Sequence, residues 1–195
     1  MNTFWQFMKR NYKIILLVTV ISAVLWSFMP STKKVKDPEK DKLLLELLSF
    51  ILENDFNAKE VLDMGCGTGI LAILASKRGA KQLLAVDYDP ICVDSVIENV
   101  QLNDVDNIAA KLGSKEAIEG LTFDTILANI NRNILLDQLE TYSTCLANGG
   151  ELYLSGFYDG EDLEILKQKA DSVGFQYVEN KVLDNWCAAK FTKAI

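Results

Sequence analysis

The chain reads as an α/β protein: a seven-stranded, mostly parallel sheet that ends in an antiparallel hairpin, preceded by a hydrophobic N-terminal helix. Three observations carry this. From residue 40 onward, short apolar runs alternate with stretches of helical period, the pattern of βαβ units. The first of those runs ends in a cluster of three glycines. The last two are separated only by a turn, which forces them to pair antiparallel.

The elements follow in order. Leu43, Leu44, Leu47, Leu48 and Ile51 recur at helical spacing. Residues 59–64 (KEVLDM) form the first strand and lead into the glycines. Residues 70–78 are helical and stop at Gly79, and residues 82–86 are the second strand. Asp89-Pro90 opens a helix that runs to about Leu102, with Asp89 suited to cap it and Pro90 pre-set for its first turn. Residues 107–112 and 123–128 are the third and fourth strands. An amphipathic helix over 134–147 ends at Asn148-Gly149-Gly150, read as a helix stop. The fifth strand covers 151–155, and a helix over 162–173 is closed by Gly174. Two β-rich runs, 175–182 and 186–192, flank the turn at Asp184-Asn185.

Ahead of this domain, residues 14–29 (IILLVTVISAVLWSFM) carry no charge, and their only polar residues are Thr19, Ser22 and Ser27. As a helix they extend about 24 Å, against a hydrocarbon core of roughly 30 Å. Flanking residues make up the difference, and Tyr12 and Trp26 stand near the ends as interfacial anchors do. Lys9, Arg10 and Lys13 precede the segment, while Lys33, Lys34, Lys36, Lys40 and Lys42 follow it. The positive-inside rule therefore turns the domain toward the cytoplasm. A membrane anchor is the leading expectation. A signal peptide is the alternative, although no small-x-small cleavage pattern follows; a hydrophobic stretch without topogenic role is the third. Residues 30–38 are polar and hold two of the three prolines, so residues 1–36 form the segment and linker and 37–195 the globular domain.

Composition narrows the chemistry. With 27 acidic and 20 basic residues the net charge is −7, which disfavours nucleic acid as the main partner and suits a basic protein or a small molecule. The chain contains no histidine, which removes Ser-His-Asp catalysis, histidine acid/base work and most zinc sites, so no metal site is expected. Cys66, Cys92, Cys145 and Cys187 form no CxxC pair, the usage of a reduced compartment such as the cytoplasm.

The informative loop is Asp63-Met64-Gly65-Cys66-Gly67-Thr68-Gly69, between the first strand and the next helix. In open α/β sheets ligands sit at the carboxyl ends of the strands, and Gly65, Gly67 and Gly69 let the backbone approach one closely. The dinucleotide fingerprint needs a glycine at position 70, which is Ile70. What stands here is D-x-G-x-G-x-G, followed eighteen residues past Gly69 by Asp87 at the end of the second strand. A carboxylate there can accept two hydrogen bonds from ribose hydroxyls; a solvated strand-end acid is the alternative. Cys66 reads as a small loop residue, since nothing nearby would lower its pKa. At the end of the fourth strand, in Ala128-Asn129-Ile130-Asn131, the Asn129 carbonyl can accept a hydrogen bond from an amine and aim its lone pair. Asn129 could instead be a turn residue, and Asn131 reads as a helix cap before Arg132.

VLDMGCGTGILAILASKRGAK, LAVDYDP, FDTILANINRNILLDQLETY, GGELYLSGFY and DNWCAAKF together resemble the bacterial ribosomal protein L11 methyltransferases, over about residues 43–193. The resemblance implies the class I, Rossmann-like methyltransferase fold with S-adenosylmethionine as cofactor. It further implies Asp63, Gly65, Gly67, Gly69 and Asp87 as cofactor-binding residues, with Asn129 against both cofactor and substrate amine as the catalytic group. It also implies N-methylation of a protein substrate, ribosomal protein L11. Methyl transfer is an in-line displacement from an activated donor, so proximity and orientation suffice and the lack of histidine is no obstacle. Two features depart from the family. The hydrophobic segment and linker stand where the family has a substrate-recruiting domain, and residues 30–42 lack its Phe-Gly-Thr-Gly-x-His-x-Thr stretch. The alternatives are thus a membrane-tethered methyltransferase with another substrate, or a cofactor-binding remnant; a nicotinamide-dependent oxidoreductase is disfavoured by Ile70.

Overall fold

A short run that is apolar on both sides belongs in the interior of a parallel sheet, and β1 (Glu60–Met64) lies there with its last four residues buried. The computed structural model describes residues 38–194, with side chains from residue 46 onward. The expected hydrophobic helix at 14–29 and the linker lie outside the described residues. No described helix is long and apolar enough to cross a membrane.

The described residues open with α1 (Pro38–Glu53) and pass through β1 into α2 (Ile70–Lys77) and β2 (Gln82–Asp87). It continues as α3 (Pro90–Leu102), β3 (Ile108–Leu112), a single 3-10 turn (Lys115–Ile118) and β4 (Phe123–Asn129). Then come α4 (Arg132–Cys145), β5 (Leu146–Tyr158), α5 (Glu161–Ser172), β6 (Phe175–Leu183) and β7 (Trp186–Lys193). The seven strands form one sheet in the order β3-β2-β1-β4-β5-β7-β6. β1 to β5 are parallel, and β7 runs antiparallel to both β5 and β6. The seven-stranded, mostly parallel expectation holds.

Side chains alternate across the pleat. Leu62, Met64, Val86, Ile126, Ala128, Leu152 and Leu154 face one way and pack with Leu135, Leu139 and Tyr142 of α4 and Leu163 and Leu166 of α5. On the other face, Tyr153 of β5 meets the rings of Phe50 and Phe56, at centroid distances of 5.5 and 6.3 Å. The end of α1 is also tied down: Lys181 pairs with Glu53 at 2.5 Å, and Lys190, which bonds Glu151 at 2.7 Å, reaches the Asn54 side chain just past the helix at 2.7 Å.

Local capping follows the residues expected. Asp89 accepts the Ile91 N–H at 2.8 Å, with Pro90 in the first turn of α3. Asn131 accepts the Ile134 N–H at 3.1 Å and starts α4 two residues earlier than the apolar periodicity placed it. The start of β5 differs more. Asn148-Gly149-Gly150 is not a stop between helix and strand but a bulge inside β5, whose first residue, Leu146, pairs with Phe123 before the register moves to Thr125 and Glu151. A Cβ at Gly150 would lie 2.9 Å from the Asp124 carbonyl oxygen, so the glycine is there for a close backbone approach.

Candidate functional site

The strand order reverses between β1 and β4: β2 and β3 extend the sheet on one side and β5 to β7 on the other. Loops diverge at this switch point and leave a crevice at the carboxyl ends of the strands. The glycine loop, Asp87 and Asn129 all stand at that edge.

The loop is held by β2. Gly65 and Cys66 donate their N–H groups to the Val86 carbonyl at 2.8 and 3.1 Å, and the Gly69 N–H closes a turn onto the Cys66 carbonyl at 2.8 Å. Gly65 has a φ of +71°, and a Cβ there would lie 2.2 Å from Ile130 Cγ2, so its lack of a side chain lets the β4–α4 loop sit against it. Gly67 also has positive φ, +53°, yet a Cβ there would meet nothing within 4 Å. Its open side is where a ligand can approach the backbone. The Asn99 side chain, 6% exposed on α3, donates to the Thr68 carbonyl at 2.9 Å and braces the loop from behind.

Asp87 is 7% exposed and uses both oxygens on backbone: Oδ2 accepts the Gly67 N–H at 2.9 Å and Oδ1 the Asp89 N–H at 3.0 Å. Each carboxylate oxygen keeps a further lone pair for a ligand hydroxyl. Asp63 lies deeper, wholly buried beneath the loop. Its Oδ2 accepts the Ala72 N–H at 3.1 Å, in the first turn of α2, and its Oδ1 has no partner. Burial pushes its carboxyl up from an ordinary value near 3.8 to about 7; the Ala72 bond opposes that and the nearby Asp87 charge adds to it. Asn129, half-buried at the end of β4, is in register with Ser155 of β5.

The sign of the Asp63 effect is open to test. A folded carboxyl with a raised pKa binds its proton where the unfolded one has lost it, so the stability it contributes is full below about pH 4 and is lost as pH rises through 7. The slope is at most ~1.4 kcal/mol per pH unit. Chemical denaturation from pH 4 to 8 is expected to show the wild type losing stability relative to Asp63→Asn, whose side chain does not titrate. Parallel pH curves for the two proteins would contradict the assignment.

The structure adds residues that the sequence did not single out. Ile130 roofs the glycine loop, and its N–H donates to the Ser155 carbonyl at 3.2 Å. Gly156 passes so close that a Cβ would lie 2.1 Å from the Ile130 carbonyl oxygen. Tyr88, 79% exposed directly after Asp87, and Leu112, which pairs with Asp87 across the ladder, flank the carboxylate with apolar surface. An exposed aromatic beside a strand-end acid was the signal for Tyr88. Ile130 and Gly156 had none, because they meet only through the sheet.

An antiparallel final strand wedged between β5 and β6 separates this sheet from the dinucleotide-binding one, whose sixth strand continues the parallel order. With Ile70 in place of that fold's third glycine, the domain is of the class I S-adenosylmethionine-dependent methyltransferase type. The residues fit that cofactor: an open glycine backbone at 67, a strand-end carboxylate with lone pairs to spare, and an unpartnered buried oxygen on Asp63. The chain belongs to the family described as "Ribosomal protein L11 methyltransferase (PrmA)", whose model matches residues 41–194. Among its relatives, the ribosomal protein L11 methyltransferase of Phocaeicola vulgatus is 47% identical over 146 residues, covering 74% of this chain and 52% of that protein. That of Bacteroides thetaiotaomicron is 46% identical over 147 residues, covering 75% and 52%. A crystal structure of a ribosomal protein L11 methylase from Lactobacillus delbrueckii subsp. bulgaricus superimposes with a TM-score of 0.72 at 31% identity, over 76% of this chain and 78% of that one. The chain thus spans about half the length of the curated relatives it matches.

Proposed function

We propose that this chain transfers a methyl group from S-adenosylmethionine to an amino group of a protein, and that the protein is ribosomal protein L11, the substrate in its relatives' names. The observation that carries the reading is the close approach of the Asn129-Ile130 strand end to the glycine loop, with Ile130 Cγ2 2.2 Å from where a Gly65 Cβ would stand. That approach brings an amide side chain and a nucleoside-binding loop to one crevice.

The cofactor supplies a methyl group already activated by its sulfonium; the chain contributes placement. Asp87 accepts hydrogen bonds from the ribose hydroxyls while keeping Gly67 in position. The backbone of Gly65, Gly67 and Gly69 would hold the cofactor, with Asp63 beneath the loop completing the site. The Asn129 side-chain oxygen accepts a hydrogen bond from the incoming amine and turns the nitrogen lone pair toward the methyl carbon. No base of raised strength is needed once the amine is neutral. Replacing Asn129 with Ala is expected to lower kcat about ten- to hundred-fold while changing cofactor affinity less than three-fold.

The deciding experiment incubates the full chain with methyl-labelled S-adenosylmethionine and purified L11, followed by peptide mass spectrometry. Label on L11 amino groups supports the proposal. Label on other proteins of a lysate, with none on L11, points to a different substrate, and binding without transfer points to a remnant. The uncharged run at 14–29 favours a tether that keeps the domain on the cytoplasmic face of a membrane. Carbonate extraction tests it, and full release into the supernatant refutes it.

A further inference from the structure

One ion pair at the mouth of the crevice has no part in the scheme above. Arg132, the first residue of α4, reaches across to Asp162 in the first turn of α5 and bonds its Oδ1 through Nη1. The same carboxylate uses Oδ2 to accept the Tyr158 N–H at 3.1 Å, at the end of β5. Tyr158 stacks its ring on Trp186, the first residue of β7, with centroids 4.1 Å apart and planes 26° from parallel. Beside it, the Asp159 N–H donates to the Asn185 carbonyl at 2.8 Å.

These contacts link the segments that follow Asn129 and its register partner Ser155. Arg132 stands three residues beyond Asn129 in the chain, and Tyr158 three residues beyond Ser155. An ordinary exposed ion pair is worth ~0–1 kcal/mol and leaves no trace on function. This one differs in two ways: Asp162 is only 17% exposed, and its two oxygens are committed to different elements, the start of α4 and the end of β5. It ties the start of α4, three residues past Asn129, to the strand end that carries the aromatic pair. The donor side of the crevice, built on β1 and β2, is not touched by it.

Resting on the proposed methyl transfer, we infer that Arg132 and Asp162 are positioning residues for the acceptor amine: their pair sets the spacing between Asn129 and the Tyr158–Trp186 wall, and so governs acceptance of the methyl group but not cofactor binding. Asp162→Asn keeps an acceptor for the Tyr158 N–H and removes the charge. Arg132→Met keeps much of the stem and removes the guanidinium. Arg132→Lys restores a cation that can meet the same oxygen.

The test uses the full chain carrying 5-fluorotryptophan. Its three tryptophans are Trp5, Trp26 and Trp186, and the Trp186 signal is assigned by Trp186→Phe. In Asp162→Asn and Arg132→Met, kcat/KM for the protein acceptor is expected to fall about ten-fold or more. The calorimetric Kd for S-adenosylmethionine is expected to stay within about two-fold, the Trp186 fluorine signal to shift, and Arg132→Lys to recover much of the rate. An equal loss of cofactor affinity, or unchanged acceptor kinetics, would overturn the inference. If the wild type methylates nothing, the enzymatic reading fails separately. The fluorine signal and cofactor Kd then decide whether the pair sets the aromatic wall alone: a Trp186 signal unmoved in both variants overturns that as well.

Discussion

Gly156→Ala is expected to cost the fold about 3 kcal/mol or more and to abolish methyl transfer, although residue 156 touches neither cofactor nor substrate in the proposed scheme. Gly156 has a φ of +103°, and a Cβ would lie 2.1 Å from the Ile130 carbonyl oxygen, 2.6 Å from its carbonyl carbon and 3.1 Å from its nitrogen. Those are backbone atoms of a segment fixed on three sides: by the Ile130 N–H bond to Ser155, by the Asn131 cap on α4, and by the contact of Ile130 with Gly65. None can move without displacing Asn129. Urea unfolding and a methyl-transfer assay read the two consequences separately. A variant within 1 kcal/mol of wild type would mean that the β4–α4 loop is far more compliant than this packing implies.

Asp87→Ala is the second large effect expected on the proposed scheme, because Asp87 also holds two backbone N–H groups besides the ribose contacts proposed for it. Losing hydrogen bonds to a charged acceptor removes about 1.5–3 kcal/mol of binding. The same substitution also strips the acceptor from the Gly67 and Asp89 N–H groups, which frees the loop and the start of α3 to drift. Cofactor affinity is therefore expected to fall by at least about 100-fold, near 3 kcal/mol. Asp87→Asn, which keeps one oxygen, is expected to lose about ten-fold. Calorimetric titration of both variants with S-adenosylmethionine checks the order. Equal affinities for the two would show that Asp87 only braces the loop, and an unchanged affinity in Asp87→Ala would remove it from the site.

What the sequence revealed depended on how far apart the partners are. The parallel strands, the glycine loop and the caps at Asp89 and Asn131 are written within a few residues of where they act, and periodicity and side-chain chemistry sufficed for them. The start of β5 was misplaced because Gly149-Gly150 looks like a helix stop, whereas it bulges to let Gly150 pass the Asp124 carbonyl on the neighbouring strand. Asp63 was legible as part of a motif, but its depth was not: nothing in D-x-G-x-G-x-G says that this carboxylate lies under the loop while Asp87 lies beside it. The Arg132–Asp162 pair joins residues thirty positions apart, and the support of Thr68 by Asn99 spans thirty-one. Neither leaves a periodic trace.

The position of β7 also bears on the order in which the domain can assemble. β6 pairs with β7 alone among the described strands, and β7 fills the gap beside β5, so the strand made later must be seated before the earlier one has a strand neighbour. A nascent chain that has emerged only as far as residue 185 has β5 as an open edge and β6 with nothing to join. Lys190, which grips Glu151 and Asn54, and the Trp186 ring that stacks on Tyr158 are both missing from it. On this topology, closure of the sheet and the stacking of Trp186 on Tyr158 are expected to come together, with the arrival of one eight-residue strand.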